Sequence, residues 1–407
     1  MRQFQGWAAV ILALLVWCTY GATADLGFIS DDYVYLAKAR DYGGDWGALF
    51  RDELYRSRAT TIWITALLER CFGLAPFAYN LVSLMVHGAN VLLIYGLGRW
   101  RVIGWPVALV AAAYFAIAER PHEAVMWFSA LSDLLALTFS LTAMHGLLSW
   151  LAGRQTGLAL MAASFALGLL SKESAVAMLA MLALVLIFDA RAQRAHWWGL
   201  LPLTAFALVY AGFIFAAGDR HLHLQDGTFV LGWHALRVLL TSSLRLLWVW
   251  GVAALALLFL WRKELLRHWR AVSFGLLWMA PALAPYSFLT YMNTVPSRHA
   301  YLANLGVALV VGVAGYAAWQ RWRKQHFWAV GILAAALLLH NAGYIWLVKK
   351  PAFLARARVT EQLIDRARHS PLNPLPISTR EFPFSADLAR DAIRIGTGQI
   401  RTVVFTD

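Results

Sequence analysis

The feature that most limits how this chain can fold is a succession of apolar runs, each close to the length that crosses a bilayer. A helix spans the hydrocarbon with about 20 apolar residues, within a range of about 17–25. Such runs occupy residues 6–23, 77–98, 102–118, 133–152, 156–170, 174–189, 198–217, 244–261, 271–290, 300–319 and 327–348. They predict an all-α polytopic membrane protein with about eleven transmembrane helices, or between about ten and thirteen. The range reflects the short pieces 156–170 and 174–189, which flank "SKES" and can form one interrupted or re-entrant unit. Composition agrees: 60% of the 407 residues are hydrophobic and 14% are charged, against about 45–50% and about 25% in soluble domains. A formal net charge of +13 would point to nucleic acid in a soluble chain. Here the cations mark cytoplasmic loops and meet anionic lipid headgroups, so membrane lipid, not nucleic acid, is the expected partner. The two cysteines, Cys18 and Cys71, make neither a disulfide framework nor a metal-binding pattern.

Orientation follows from the basic residues. Arg2, an apolar stretch and "ATA" (22–24) resemble a signal peptide with its cleavage site. The stretch is long for that role and many spans follow, so an uncleaved first helix with a cytoplasmic N-terminus is expected. The inside connections then hold "GRWR" (98–101), Arg154, Arg191 with Arg194, "WRKELLRHWR" (261–270) and "QRWRKQ" (320–325). Each is basic, as the positive-inside rule requires. Residues 24–76, 119–132, 171–174, 218–243 and 291–300 and the tail fall outside. Most acids before the tail lie there, Asp219 with the cation Arg220 among them; Asp189 and Glu264 are the main inside exceptions. The organisation expected is a membrane core, 1–349, and a small extracytoplasmic appendage, 350–407. The appendage has a helix-like "AFLARARVTEQLIDRARHS" and a strand-like "IRTVVFTD".

Four clusters on the outer face can carry chemistry. "SDDYVYLAKARDY" opens an interfacial helix, with Ser30 as N-cap and Asp31 and Asp32 in the first turn, where the helix dipole favours anions. A simple cap explains one carboxylate. The two point in different directions, so the other is free to face a cavity. "RDELYRSR" adds Arg56 and Arg58 before the next apolar stretch. In "ERPHEAVMWFSALSDLLAL", His122 and Glu123 can form a proton relay or sit in a solvated loop, and Asp133 enters the next helix. "SKES" sets Lys172 and Glu173 between apolar segments, as a phosphate-binding ammonium or as a local ion pair. "NTVPSRHAYLANLG" puts Arg298, His299 and Tyr301 at a helix start, where an oxyanion or phosphate can bind, or where Arg298 merely reaches headgroups. Together they offer a carboxylate base, two cations for a phosphate leaving group and aromatic walls. That set suits transfer from a phosphate-bearing lipid.

In their order along the chain these segments resemble the GT-C superfamily of polytopic glycosyltransferases. They are nearest in pattern to protein O-mannosyltransferase-like enzymes and to transmembrane O-mannosyltransferases that carry TPR repeats. The matching pieces are "FISDDYVYL", the stretch from "YRSRATTIW" to "LLIYGLGR", "RPHEAVMWFSALSDLLAL", "LGLLSKESAVAML" and "SRHAYLANLGVAL". The resemblance implies an inverting enzyme of a bacterial inner membrane that uses a polyprenyl-phosphate sugar donor. It implies Asp31 as catalytic base, Asp32 as second acid, Glu123 as an outer-loop acid, Lys172 as donor-phosphate lysine, and Arg298 with Tyr301 at the donor phosphate. The acceptor would be a glycan, lipid or protein hydroxyl. A divalent metal is compatible with adjacent aspartates but is not required. Two departures stand out: Leu131 occupies a position where relatives often carry arginine, and no TPR array follows the last span. A lipid-linked glycan ligase or polymerase is an alternative. A transporter or flippase is a weaker one, because the mid-span segments are almost free of ionisable groups.

Overall fold

The computed structural model describes residues 2–218 and 222–406; Asp219 and Arg220 lie outside the described residues. Each apolar run of the sequence coincides with a helix. By length and composition, five helices among the described residues can each cross a membrane: Gly6–Thr23, Pro76–Arg99, Phe128–Leu151, Arg194–Ala216 and Phe327–His369. A sixth span arises if His234–Leu247 and Trp250–Leu260, bent by 79°, count as one. Trp105–Ala116, Thr156–Leu169 and Glu173–Phe188 are apolar but shorter. The expected eleven spans therefore include helices too short to cross alone. Buried in a bundle, a short helix has its ends satisfied by neighbouring protein rather than by headgroups.

Small residues draw the helices together. A Cβ on Gly306 would lie 2.2 Å from the Gly275 carbonyl oxygen, and one on Gly157 would lie 2.4 Å from that of Gly146. These contacts lock Trp269–Ser287 onto Asn304–Trp322, and Leu131–Leu151 onto Thr156–Leu169. Close backbone approach of this kind is how helices associate where water provides no drive. Helix Leu131–Leu151 carries Asp133 in its first turn, and the connections adjoining the two pairs hold Lys172 and His299.

The loop after the first span forms three helices, Asp31–Tyr42, Trp46–Arg51 and Ala59–Phe72. The last of these was not expected as a separate element. Its start is latched to "SKES": Thr60 donates its N–H to the Leu170 carbonyl at 3.1 Å and its hydroxyl to Ser171 Oγ at 2.8 Å. The last span runs on through one π-helical turn, Ile345–Lys349, into Lys350–His369. The tail closes with helix Ala386–Thr397 and a two-stranded parallel pair, Leu375–Ile377 with Val403–Phe405. It packs onto the first loop: Arg394 grips Asp41 with both guanidinium nitrogens, at 2.6 and 3.2 Å, and Lys350 meets Asp25 at 3.0 Å.

Candidate active site

The "SDDY" turn is built differently from a serine cap. Ser30 is buried, has φ of 34°, and makes no side-chain capping bond. A non-glycine residue in that region costs on the order of 1–3 kcal/mol, and surrounding structure must hold it there. Here Asp32 is the holder. Its two oxygens accept the Ile29 N–H at 2.8 Å and the Ser129 N–H at 2.7 Å, tying the first loop to residues 128–130. Asp32 is 2% exposed, and burial pushes its carboxyl up to about 7 against those two donors. Asp31, turned the other way, makes no hydrogen bond or ion pair among the described residues. Burial raises its carboxyl, and the guanidiniums of Arg298 and Arg356 hold that rise back.

Those two guanidiniums share one indole. Arg298 lies 4.8 Å and Arg356 4.7 Å from the Trp127 ring centre. Glu123 touches both residues: it accepts the backbone N–H of Arg298 at 3.4 Å and stands 3.8 Å from the Arg356 guanidinium, at Nη1. Trp127 in turn donates to the Ile29 carbonyl at 3.3 Å. Arg356 belongs to the tail helix, so the tail adds a cation beside Asp31 that sequence reasoning missed. "LARAR" reads as an ordinary charged helix face, and only docking turns this arginine toward Trp127.

A second group adjoins through Arg298. Lys172, 4% exposed, pairs with Asp133, 1% exposed. The ammonium also donates to His299 Nδ1 at 3.1 Å. Burial pulls Lys172 down to about 8 despite Asp133, with Arg58 and Arg298 adding to the push. Burial and then Lys172 take the His299 ring down to about 3, so it is neutral. Its Nδ1 thus accepts from Lys172, and the 3.4 Å approach to Asp133 is a contact rather than a salt bridge. The ring stacks on Tyr286 at 4.2 Å, and Tyr286 donates to Asp133 at 3.3 Å. Glu173 takes Arg58 at 2.8 Å and the Ser57 hydroxyl at 2.6 Å. Within this second group, two buried atoms of opposite sign have no hydrogen-bond partner among the described residues, Asp133 Oδ2 and Arg58 Nη1. Each such group costs about 1–3 kcal/mol, so both suit a polar ligand.

Three expected participants sit elsewhere. Tyr301 is fully buried, with its hydroxyl 2.7 Å from His87 Nδ1 and 3.2 Å from Asn90. It braces the bundle from the residue after the 3-10 turn Arg298–Ala300, just before helix Asn304–Trp322 begins. Arg56 is taken up by Phe213, donating to its carbonyl at 2.9 Å and lying 5.4 Å from its ring centre. His122 and Glu123 do not join as a relay among the described residues. His122 bonds the Glu119 carbonyl and approaches Ser297 Oγ at 3.2 Å, while burial takes its ring down to about 4. No three His, Cys, Asp or Glu side chains among the described residues converge as a metal-binding group.

No family model matches the chain, and no curated protein sequence matches it significantly. Solved structures do. ArnT from Cupriavidus metallidurans, bound to undecaprenyl phosphate, superposes with a TM-score of 0.58 at 14% identity, over 98% of this chain and 86% of that one. The archaeal oligosaccharyltransferase AglB from Archaeoglobus fulgidus, in complex with an inhibitory peptide and a dolichol-phosphate, gives 0.55 at 12% identity. That match covers 99% of this chain but 64% of the oligosaccharyltransferase, whose length this chain spans only in part. The chain has the fold of these GT-C membrane proteins. With its apolar helices, the shared fold makes it an integral membrane protein.

Proposed function

We propose that this protein is an inverting glycosyltransferase that moves a sugar from a polyprenyl-phosphate donor to an acceptor hydroxyl. The site would lie on the extracytoplasmic face, in a bacterial inner membrane, with residues 1–349 as the catalytic core and 350–407 as its docked appendage. One observation carries the reading. The Asp31 side chain has no hydrogen-bond or ion-pair partner among the described residues, while the two guanidiniums held on the Trp127 indole are near enough to offset part of the rise that burial gives its carboxyl. Asp31 takes the acceptor O–H proton as that oxygen forms a bond to the anomeric carbon. The bond from that carbon to the phosphate oxygen breaks on the opposite side, and the electron pair leaves with the polyprenyl phosphate. Arg298 and Arg356, with Lys172 alongside, stabilise the charge that develops there. Burial makes the Lys172 charge worth more than it would be in water. The lipid phosphates bound by the structural neighbours, dolichol-phosphate and undecaprenyl phosphate, support the donor class.

The test supplies polyprenyl-phosphate sugars and polyprenyl-diphosphate glycans to the full chain in vesicles and follows donor consumption. Consumption of a monophosphate donor is expected, and Asp31→Asn should slow it by about 10²–10⁴-fold. Transfer by the variant at the parent rate would remove Asp31 as the base. Consumption of the diphosphate donor alone would turn the assignment to a lipid-linked glycan ligase.

A further inference from the structure

At the other end of the bundle the structure holds a cavity of about 750 Å³. It is well separated from the candidate active site. Helix Trp269–Ser287 begins at the cavity and ends beside Tyr286, and 17 residues at about 1.5 Å each is roughly 25 Å. Five arginines line it: Arg99, Arg101, Arg191, Arg267 and Arg270. They come from three connections far apart in sequence, around residues 99–104, 188–191 and 266–270. The positive-inside rule accounts for basic loops at this end, but not for their convergence on one hollow.

The counter-charge falls short. Asp189 is the acid on the wall, and it is already committed. It takes the Arg191 guanidinium at 2.9 and 2.6 Å and the Trp100 indole N–H at 2.9 Å. Arg267, itself exposed, has a half-buried partner, Glu264, at 3.8 Å. Among the described residues Arg99, Arg101 and Arg270 have no carboxylate partner. His268, also on the wall, keeps Nε2 buried without a hydrogen bond. Like charges gathered around one hollow repel, and an anion relieves that repulsion. The residue type is informative too, since the planar guanidinium fork matches phosphate oxygens two at a time, where an ammonium supplies a point charge. The rim is apolar: Trp269 is 51% exposed and Leu266 70%. A ligand with a phosphate head and an apolar body would meet both surfaces.

We infer that this cavity is a phosphate-binding site, separate from the candidate active site and independent of the reaction assigned there. Its ligand is a phosphate-bearing molecule, either the headgroup of an anionic membrane lipid or a soluble phosphate. The rim residues favour the lipid. Bound there, a lipid would tie together three connections that otherwise hold mutually repelling charges, and would stabilise the folded bundle by mass action.

The test measures thermal unfolding of the purified full chain in detergent with phosphatidylglycerol, phosphatidylcholine or inorganic pyrophosphate added. Phosphatidylglycerol should raise Tm above the value in phosphatidylcholine. The double variant Arg101→Gln, Arg270→Gln should lose at least half of that rise. Lys263→Gln, Lys324→Gln removes the same charge from exposed positions outside the cavity and should keep the rise. A rise with pyrophosphate that the cavity variant also loses assigns the site to soluble phosphates as well. If the double variant fails to fold, the single change Arg99→Gln repeats the comparison. No rise with either phosphate probe, or equal loss in the two double variants, overturns the proposal.

Discussion

At the Asp31 end, Lys172 is buried and held by Asp133 and His299. At the Arg99 end, Arg99, Arg101 and Arg270 line an open hollow with no carboxylate beside them among the described residues. Both ends gather charge from distant loops, but under different constraints. A charge removed from water must be paired, and pairing fixes its position. Fixed charges suit a transition state. Solvated, mutually repelling charges suit a ligand that comes and goes.

The contrast can be broken by substitution. After Asp31→Asn, the largest effect should come from Lys172→Met. It strands the Asp133 carboxylate in the interior, and losing one partner of a buried pair costs about 3–5 kcal/mol. Removing both charges, Lys172→Met with Asp133→Leu, should recover most of that stability without recovering transfer. Arg101→Gln at the other end should change lipid-free stability by no more than about 0.5 kcal/mol. If the two single variants unfold alike, the distinction between the ends fails.

Arg356→Ala comes next. Hydrogen bonds to charged groups are worth about 1.5–3 kcal/mol, so KM for the donor should rise about 10–100-fold, with a smaller change in kcat. An unchanged KM would reduce Arg356 to a docking residue of the tail. The pH–rate profile is a milder test. Asp31 must be ionised and Lys172 charged, so the rate should climb above the usual carboxylate range and fall as Lys172 loses its proton near pH 8. Lys172→Arg should remove that alkaline fall; a fall that stays belongs to another group.

The last test concerns Asp32, whose effect is confined to a pH window. A buried acid raised to about 7 keeps a proton that the unfolded chain releases near ~3.9. Its contribution is therefore full below about pH 4 and is lost as pH rises through about 7. Asp32→Asn should flatten stability across that window. A parallel curve for the variant would mean that Asp32 is ionised throughout.

Much of the site was legible because its residues break the apolar pattern. Asp31, Asp32, Asp133, Lys172 and Arg298 interrupt or flank spans where charge is expensive, so each announces itself. The sequence also anticipated that the two adjacent aspartates would part ways, since neighbours on a helix point in different directions. Helix geometry alone did not tell which was which; the family resemblance named Asp31 as the base. Ser30 looks like a cap, yet its positive φ takes it out of that role, and Asp32 makes the backbone bonds instead. Tyr301 and His122 looked like partners of their neighbours, and each is occupied elsewhere.

Periodicity and the cost of burying charge determined the helical membrane bundle, its apolar runs, and the face on which carboxylates and cations could meet. Those are local properties, set by each segment's own solvent. Which charges became partners was decided only in three dimensions. Docking the tail on the first loop carried Arg356 to Trp127, and convergence of three connections made one cavity of five arginines. Both depend on contacts between residues scores to hundreds of positions apart, whose worth comes from shared burial and not from either segment alone.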